Sequence, residues 1–272
     1  MSDFSAWIGR TEEREDRLDP ARSNALLAAL GRDGTVGEGD PLPPLHHWLH
    51  FWDVRRPDET GPDGHPKRGG FLPPVALPRR MWAGGRLIFR APLRLGERVR
   101  RVSTIQSIER KTGRSGELVF VTLSHALSGS EGLAIEEEQD LVYREDSSGA
   151  LPAQAQAQET NDPAESLLPD PILLFRYSAL TMNSHRIHYD RPHATEVEHY
   201  PGLVVHGPLQ ATLLAALAER MLGTPLSTFR FRGVAAALAG ERLDLHAAPA
   251  EKGLDLWTSH GGVRRMIATA QK

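Results

Sequence analysis

Gly202-Leu203-Val204-Val205-His206-Gly207-Pro208-Leu209-Gln210-Ala211-Thr212-Leu213-Leu214-Ala215-Ala216-Leu217-Ala218-Glu219-Arg220-Met221-Leu222-Gly223 is the stretch on which the fold turns. Pro208 suits the first turn of a helix and Gly223 its C-terminal cap. Between them Leu209, Leu213, Leu214, Leu217 and Met221 recur at helical spacing, and alanines fill much of the remaining surface. A helix this apolar has no wide polar face to give to water, so a sheet is expected to wrap it. The residues that follow supply strand patterns at Thr228–Gly233, Arg242–Ala247, Leu254–Ser259 and Val263–Thr269.

Working outward, Leu87-Ile88-Phe89, Val99–Ile108, Leu118–Leu127 and Leu133–Tyr143 read as a second set of strands, the last three joined by tight turns at 111–116 and 128–132. Asp19–Leu30 reads as a helix capped by Asp19, opened by Pro20 and ended by Gly31. Residues 33–78 are rich in Gly and Pro but hold His46, His47, Trp48, His50, Phe51 and Trp52, an aromatic density that packs or forms a lid. Leu173–Tyr177 is taken as a strand. A faint repeat, Phe89-Arg90 before Gly96-Glu97-Arg98 and Phe231-Arg232 before Gly240-Glu241-Arg242, suggests that one unit was duplicated. The expected organisation is an N-terminal half at 1–145, a linker at 146–169 that contains little to bury, and a C-terminal half at 170–272.

Composition removes several classes of function. The 272 residues carry 32 Lys+Arg against 35 Asp+Glu, a net charge of −3 that gives no reason to expect a nucleic-acid partner. No cysteine means no disulfide, thiolate nucleophile or Cys-ligated metal. No targeting segment or membrane-spanning run is visible, so a cytoplasmic protein without a membrane partner is expected. Twelve histidines remain as the conspicuous chemical resource.

Five of them fall between His185 and His206. Imidazole is the natural general base near neutral pH, and the carboxamide of Asn183 can orient a water without ionising. A water held by Asn183 and His188 would be poised to add to an activated double bond. His206-Gly207 opens the apolar helix, whose first amides lack partners and sit at the positive end of its dipole. A glycine there lets a carbonyl that gains negative charge approach closely. His206 is expected to orient the helix start, and His193 and His199 to lie on the surface. His185-x-x-His188 with Asp190 or Glu196 could in principle bind zinc, but no helical His pair supports it, and no metal is expected.

Thr181–His188, with Ile187-His188 as its aliphatic-His pair and His206-Gly207 downstream, resembles the signature of the MaoC-like hydratases and dehydratases, which have the hot-dog fold. Three positions depart from that signature: Asn183 stands at the usual catalytic Asp, His185 at its Asn and Arg186 at its Pro. Together with Pro201–Gln210 and Pro78–Gly85, these departures resemble the branch that contains the type 2 hydroxyacyl-thioester dehydratases and the mesaconyl-C4-CoA and itaconyl-CoA hydratases. The resemblance covers roughly 40–272. It implies an α+β double hot dog, two antiparallel sheets each wrapping a central helix, with an intact site in the C-terminal half and a decayed one in the N-terminal half.

The resemblance further implies reversible syn addition of water to an α,β-unsaturated acyl thioester. His188 would carry the proton, Asn183 would hold the water and the Gly207 amide would polarise the carbonyl. No cofactor is implied, coenzyme A being part of the substrate, and a homodimer is expected. Between Arg79 and Arg114 eleven basic residues face two acidic ones. Arg79 and Arg80, with Arg186, are therefore candidates for binding phosphate or a substrate carboxylate, alongside His185 and His206 at the same site. This favours a short dicarboxylic acyl-CoA, mesaconyl-C4-CoA or itaconyl-CoA going to citramalyl-CoA. The alternatives are a 3-hydroxyacyl-thioester dehydratase of fatty-acid synthesis and a non-catalytic acyl-thioester binder. A thioesterase is disfavoured by the lack of a helix-proximal acidic nucleophile.

Overall fold

The computed structural model describes residues 4–113, 116–145 and 162–272. The apolar stretch folds as helix α3, Gly207–Leu222, and Gly223 closes it at φ +65°. Leu209, Leu213, Leu214 and Leu217 are buried, whereas Met221 at the end of the stripe is exposed. Around this helix lie β7 (Thr228–Gly233), β8 (Leu243–Ala250), β9 (Gly253–His260) and β10 (Val263–Gln271). The N-terminal half contributes β1 (Thr11–Arg17), β2 (Arg79–Phe89), β3 (Arg98–Gly113), β4 (Gly116–Gly129) and β5 (Gly132–Arg144), with β6 (Glu165–Leu167) leading into the second half.

The ten strands of the described residues form one antiparallel sheet in the order β1-β3-β4-β5-β2-β7-β10-β9-β8-β6. The order is a mirror about the β2–β7 seam, which is the duplication seen faintly in sequence. At the seam Gly84 pairs with Arg232 and Gly85 with Phe231. A Cβ on Gly84 would lie 2.6 Å from the Phe231 carbonyl oxygen, and one on Gly85 would lie 2.8 Å from that of Glu138. The Gly-Gly pair therefore lets the two half-sheets join edge to edge.

The mirror extends to two short helices, α1 (Pro20–Ala29) and α2 (Pro171–Thr181), each opened by an Asp-Pro pair. The α2 helix corrects the strand expected over Leu173–Tyr177. Asp170 accepts a hydrogen bond from the Leu173 amide, Pro171 starts the first turn, and Met182 ends the helix in the left-handed region. Leu173, Leu174, Tyr177 and Ser178 are buried while Phe175 is 64% exposed, which is helical rather than alternating burial.

The mirror breaks at α3. Its counterpart in the N-terminal half is not a long helix but the irregular residues 33–78, with 3-10 turns at His46–Leu49 and Pro57–Glu59. The cluster at 46–52 does pack: His46, His47, Leu49, His50 and Phe51 are buried. Two strands lie outside the expected set. β1, Thr-Glu-Glu-Arg-Glu-Asp-Arg, is an edge strand with no apolar signal, held by ladder bonds and by pairs such as Arg14–Asp53 at 2.7 Å. β6 falls in the expected linker 146–169, of which 146–161 lie outside the described residues.

Candidate active site

Three segments converge at the N-terminus of α3. The first is the turn 182–188 after α2. The second is Gly202–His206, which is pinned to that turn by a hydrogen bond from the Val204 amide to the Ile187 carbonyl at 3.0 Å. The third was not foreseen: residues 61–65 of the irregular stretch cross over from the N-terminal half.

His188 is buried, and its Nδ1 lies 2.7 Å from the Val204 carbonyl oxygen. A carbonyl only accepts, so Nδ1 carries the hydrogen and Nε2 keeps its lone pair. Burial pushes the imidazole down to about 4, against the opposing pull of the Val204 bond. At neutral pH the side chain is thus an uncharged base with a fixed tautomer. The His206 ring stacks on it at 3.6 Å between centroids, with Nε2 2.8 Å from the Ser178 hydroxyl. His206 is wholly buried behind His188 and does not line the cleft, so it supports the base sterically.

The cleft in front measures about 1410 Å³ and is lined by both halves. His188, His185, Asn183, Gly207, Arg79 and Arg80 all reach its wall, and Arg186 does not. Gly207 leads α3, followed by Pro208, which has no N–H. The Gly207 amide has no hydrogen-bond partner among the described residues, and a Cβ there would find its nearest neighbour at 3.9 Å, the Met266 methyl. This is an open, electropositive backbone donor of the kind that stabilises a developing oxyanion.

Two expected roles change. The Asn183 Oδ1 accepts from the His185 amide at 3.0 Å, which spends one of its two lone pairs on the turn. Arg186 grips Asp190 through Nε and Nη2 at 2.9 and 2.7 Å and the Pro62 carbonyl through Nη1 at 2.9 Å, which turns its guanidinium away from the cleft. Arg79 is buried, and its Nη1 donates to the carboxylate and carbonyl of Glu198, so it ties segments together rather than waiting for an anion. Arg80 forms no ion pair among the described residues and faces the cleft as a free cation. His193 also departs from expectation: it is buried, 3.9 Å from Glu198, whereas His199 is exposed.

Asp63 and His65 complete the wall. His65 Nδ1 lies 3.0 Å from Asp63 Oδ2, and its ring packs 4.1 Å from that of His185, which in turn lies edge-on to His188 at 5.5 Å. Burial disfavours the Asp63 carboxylate, but hydrogen bonds from the His65 ring and backbone amide hold the carboxyl well below its ordinary range. Burial lowers His65, Arg80 adds to that, and Asp63 opposes both. Asp63, His65 and His185 place potential ligand atoms within 4.8 Å of one another. The Asp63–His65 hydrogen bond already uses two of those groups as a carboxylate–imidazole pair. In sequence, Asp63-Gly64-His65 looked like loop, and only the crossing of residues 61–65 gives it chemical meaning.

The comparisons with known proteins agree with this architecture. Residues 45–239 match the family model described as hydroxyacyl-thioester dehydratase type 2. The mesaconyl-C(4)-CoA hydratase of Chloroflexus aurantiacus is 46% identical over 260 residues, covering 90% of this chain and 93% of that protein. Among solved structures, a MaoC-like dehydratase superposes with a TM-score of 0.74 at 13% identity, over 99% of both chains. A Mycobacterium tuberculosis protein described as having a double hotdog fold superposes with a TM-score of 0.59 at 12% identity, over 97% of this chain and 96% of that one. With its mirrored sheet and its histidine-lined cleft at a helix N-terminus, the chain belongs to the hydroxyacyl-thioester dehydratase type 2 family of hydro-lyases, on a double hot-dog fold.

Proposed function

We propose that the protein hydrates a short, branched α,β-unsaturated dicarboxylic acyl-CoA, mesaconyl-C4-CoA, to citramalyl-CoA; itaconyl-CoA, whose double bond is not conjugated with the thioester, enters this reaction only after isomerising to mesaconyl-C4-CoA. One observation carries the reaction class: His188, neutral and fixed in tautomer, shares a cleft with the unpartnered Gly207 amide. In this reading His188 takes a proton from water as the oxygen adds to the β-carbon. The Gly207 amide holds the thioester oxygen as it gains charge, and His188 returns the proton to the α-carbon. His206 keeps the base in register.

The substrate choice rests on likeness to the Chloroflexus aurantiacus hydratase and on the cations Arg80 and Arg101 in the cleft wall. A dicarboxylic thioester has a carboxylate to offer those cations, whereas a plain acyl tail has none. The test follows loss of enoyl-thioester absorbance with the purified protein. Mesaconyl-C4-CoA should turn over at least tenfold faster than crotonyl-CoA, and His188→Ala should abolish both activities. Faster turnover of crotonyl or longer plain chains would favour a fatty-acid dehydratase instead. Binding without turnover of any thioester would favour a non-catalytic binder.

A further inference from the structure

A water that attacks a double bond needs acceptors for its hydrogens, so that its oxygen lone pair stays free and points at carbon. His188 supplies one acceptor. Asn183 has only part of its capacity left, because one of the two lone pairs of its Oδ1 already accepts from the His185 amide and its remaining polar group is an NH2 donor. Asp190 is held by Arg186 and does not line the cleft.

We propose that the second acceptor is His65, backed by Asp63, so that the N-terminal half provides the water-holding group of a site otherwise built by the C-terminal half. Asp63 accepts from Nδ1 of His65 and thereby leaves the lone pair on Nε2. This is the means by which a carboxylate fixes a neutral imidazole as an acceptor. The placement of the pair is tightly determined. The Arg186 amide donates to the Asp63 carbonyl at 2.9 Å, and the His65 amide donates to Asp63 Oδ1 at 3.0 Å. The Ser184 hydroxyl donates to the Gly64 carbonyl. Gly64 itself has φ +89°, and a Cβ there would fall 1.8 Å from the Ser184 carbonyl oxygen, so residues 63–65 lie directly on the catalytic turn.

The inference rests on the hydratase reading above, and the step balances as follows. The water gives one proton to His188 Nε2 while its oxygen bonds to the β-carbon. The C=C electron pair shifts toward the carbonyl, and the carbonyl pair moves onto oxygen beside the Gly207 amide. When this enolate collapses, the α-carbon takes the proton from His188. Throughout, His65 accepts the second hydrogen of the water as a hydrogen bond and ends unchanged.

The experiment uses the full chain and whichever enoyl thioester the parent hydrates. His65→Ala is expected to lower kcat about 100-fold with KM within threefold, and Asp63→Asn to lower it at least tenfold. Free imidazole should restore His65→Ala at least tenfold, a rescue that a purely structural role would not give. Asn183→Asp added to His65→Ala should also restore activity, because an aspartate keeps one oxygen on the His185 amide and offers the other to the water. If His65→Ala is misfolded by its melting transition, the near-isosteric Asp63→Asn carries the test. A His65→Ala variant with kcat within threefold of an active parent overturns this inference alone. So does a loss that neither imidazole nor Asn183→Asp restores. A parent with no hydratase activity overturns the functional reading, and this one with it.

Discussion

The imidazole of His188 lies nearly flat on that of His206, planes 18° apart, while Ser178 holds the far edge of His206. The two rings stack as one block, so the proposed base is aimed by a residue that does not line the cleft. His206 Nδ1 is buried without a hydrogen-bond partner among the described residues, so Ser178 is the polar anchor of its ring. Ser178→Ala leaves both ring nitrogens unsatisfied, which costs about 1–3 kcal/mol. The urea midpoint should fall accordingly, and kcat should fall with it while KM holds.

Acid should weaken the fold before it silences the base. His188 and His50 are lowered to about 4 and His46 to about 3, in each case chiefly by burial. Between these values and the ordinary histidine range near 6.5, the unfolded chain binds more protons than the native one. Stability therefore rises with pH across that window and is lost as pH falls from about 6.5 toward 4. Urea midpoints at pH 7, 5.5 and 4.5 should decline steadily. Over the upper part of the window kcat/KM should stay flat, because His188 is still unprotonated.

Gly207→Ala separates folding from chemistry. The added methyl meets nothing closer than Met266 at 3.9 Å, and alanine is the better helix former by about 1 kcal/mol. Thermal stability should be kept or slightly raised. Activity should drop at least tenfold, since the methyl occupies the approach to the free amide.

The two neighbouring arginines should fail differently. Arg79→Met strands Glu198 without its cation, and breaking such a buried pair costs about 3–5 kcal/mol, so a lowered melting temperature is the expected readout. Arg80→Met removes a cation that no carboxylate of the described residues pairs, so stability should barely change. KM for a dicarboxylic thioester should instead rise by about tenfold or more, with a smaller rise for crotonyl-CoA. Parallel melting curves and steady-state kinetics distinguish the two outcomes.

Gly64→Ala should act as an active-site mutation from outside the motif. The methyl cannot fit against Ser184, and φ +89° is strained for alanine. Residues 61–65 must lift, and kcat should fall as far as in His65→Ala. The melting curve of the sheet should move little, because these residues contribute no strand.

Much of this was legible because it is local. The α3 stripe, the hairpins, the Asp-Pro helix starts and the catalytic turn are each encoded by residues a few positions apart. What was not legible depends on distance or on register. Phe175 made α2 look like a strand, because a run of apolar residues does not reveal its period until burial does. Apart from Thr11, β1 carries only charges, so its strandedness comes from its neighbour β3. Arg79 and Arg186 were assigned by charge alone, and the structure shows that each already has a carboxylate. Asp63 and His65 were invisible as a pair because their partners lie some 120 residues away, where Ser184 meets Gly64.

The loss of a second central helix from the N-terminal half is usually read as decay. Here irregular chain stands in place of that helix, and its residues 61–65 cross to the cleft wall of the other half. The two copies are then no longer interchangeable: one presents the reaction centre and the other closes it. A chain cut at the seam would not return two primitive enzymes, because neither piece would own a whole site. Duplication in this protein has become a one-way division of labour, and damage at residue 64 should register as damage at residue 188.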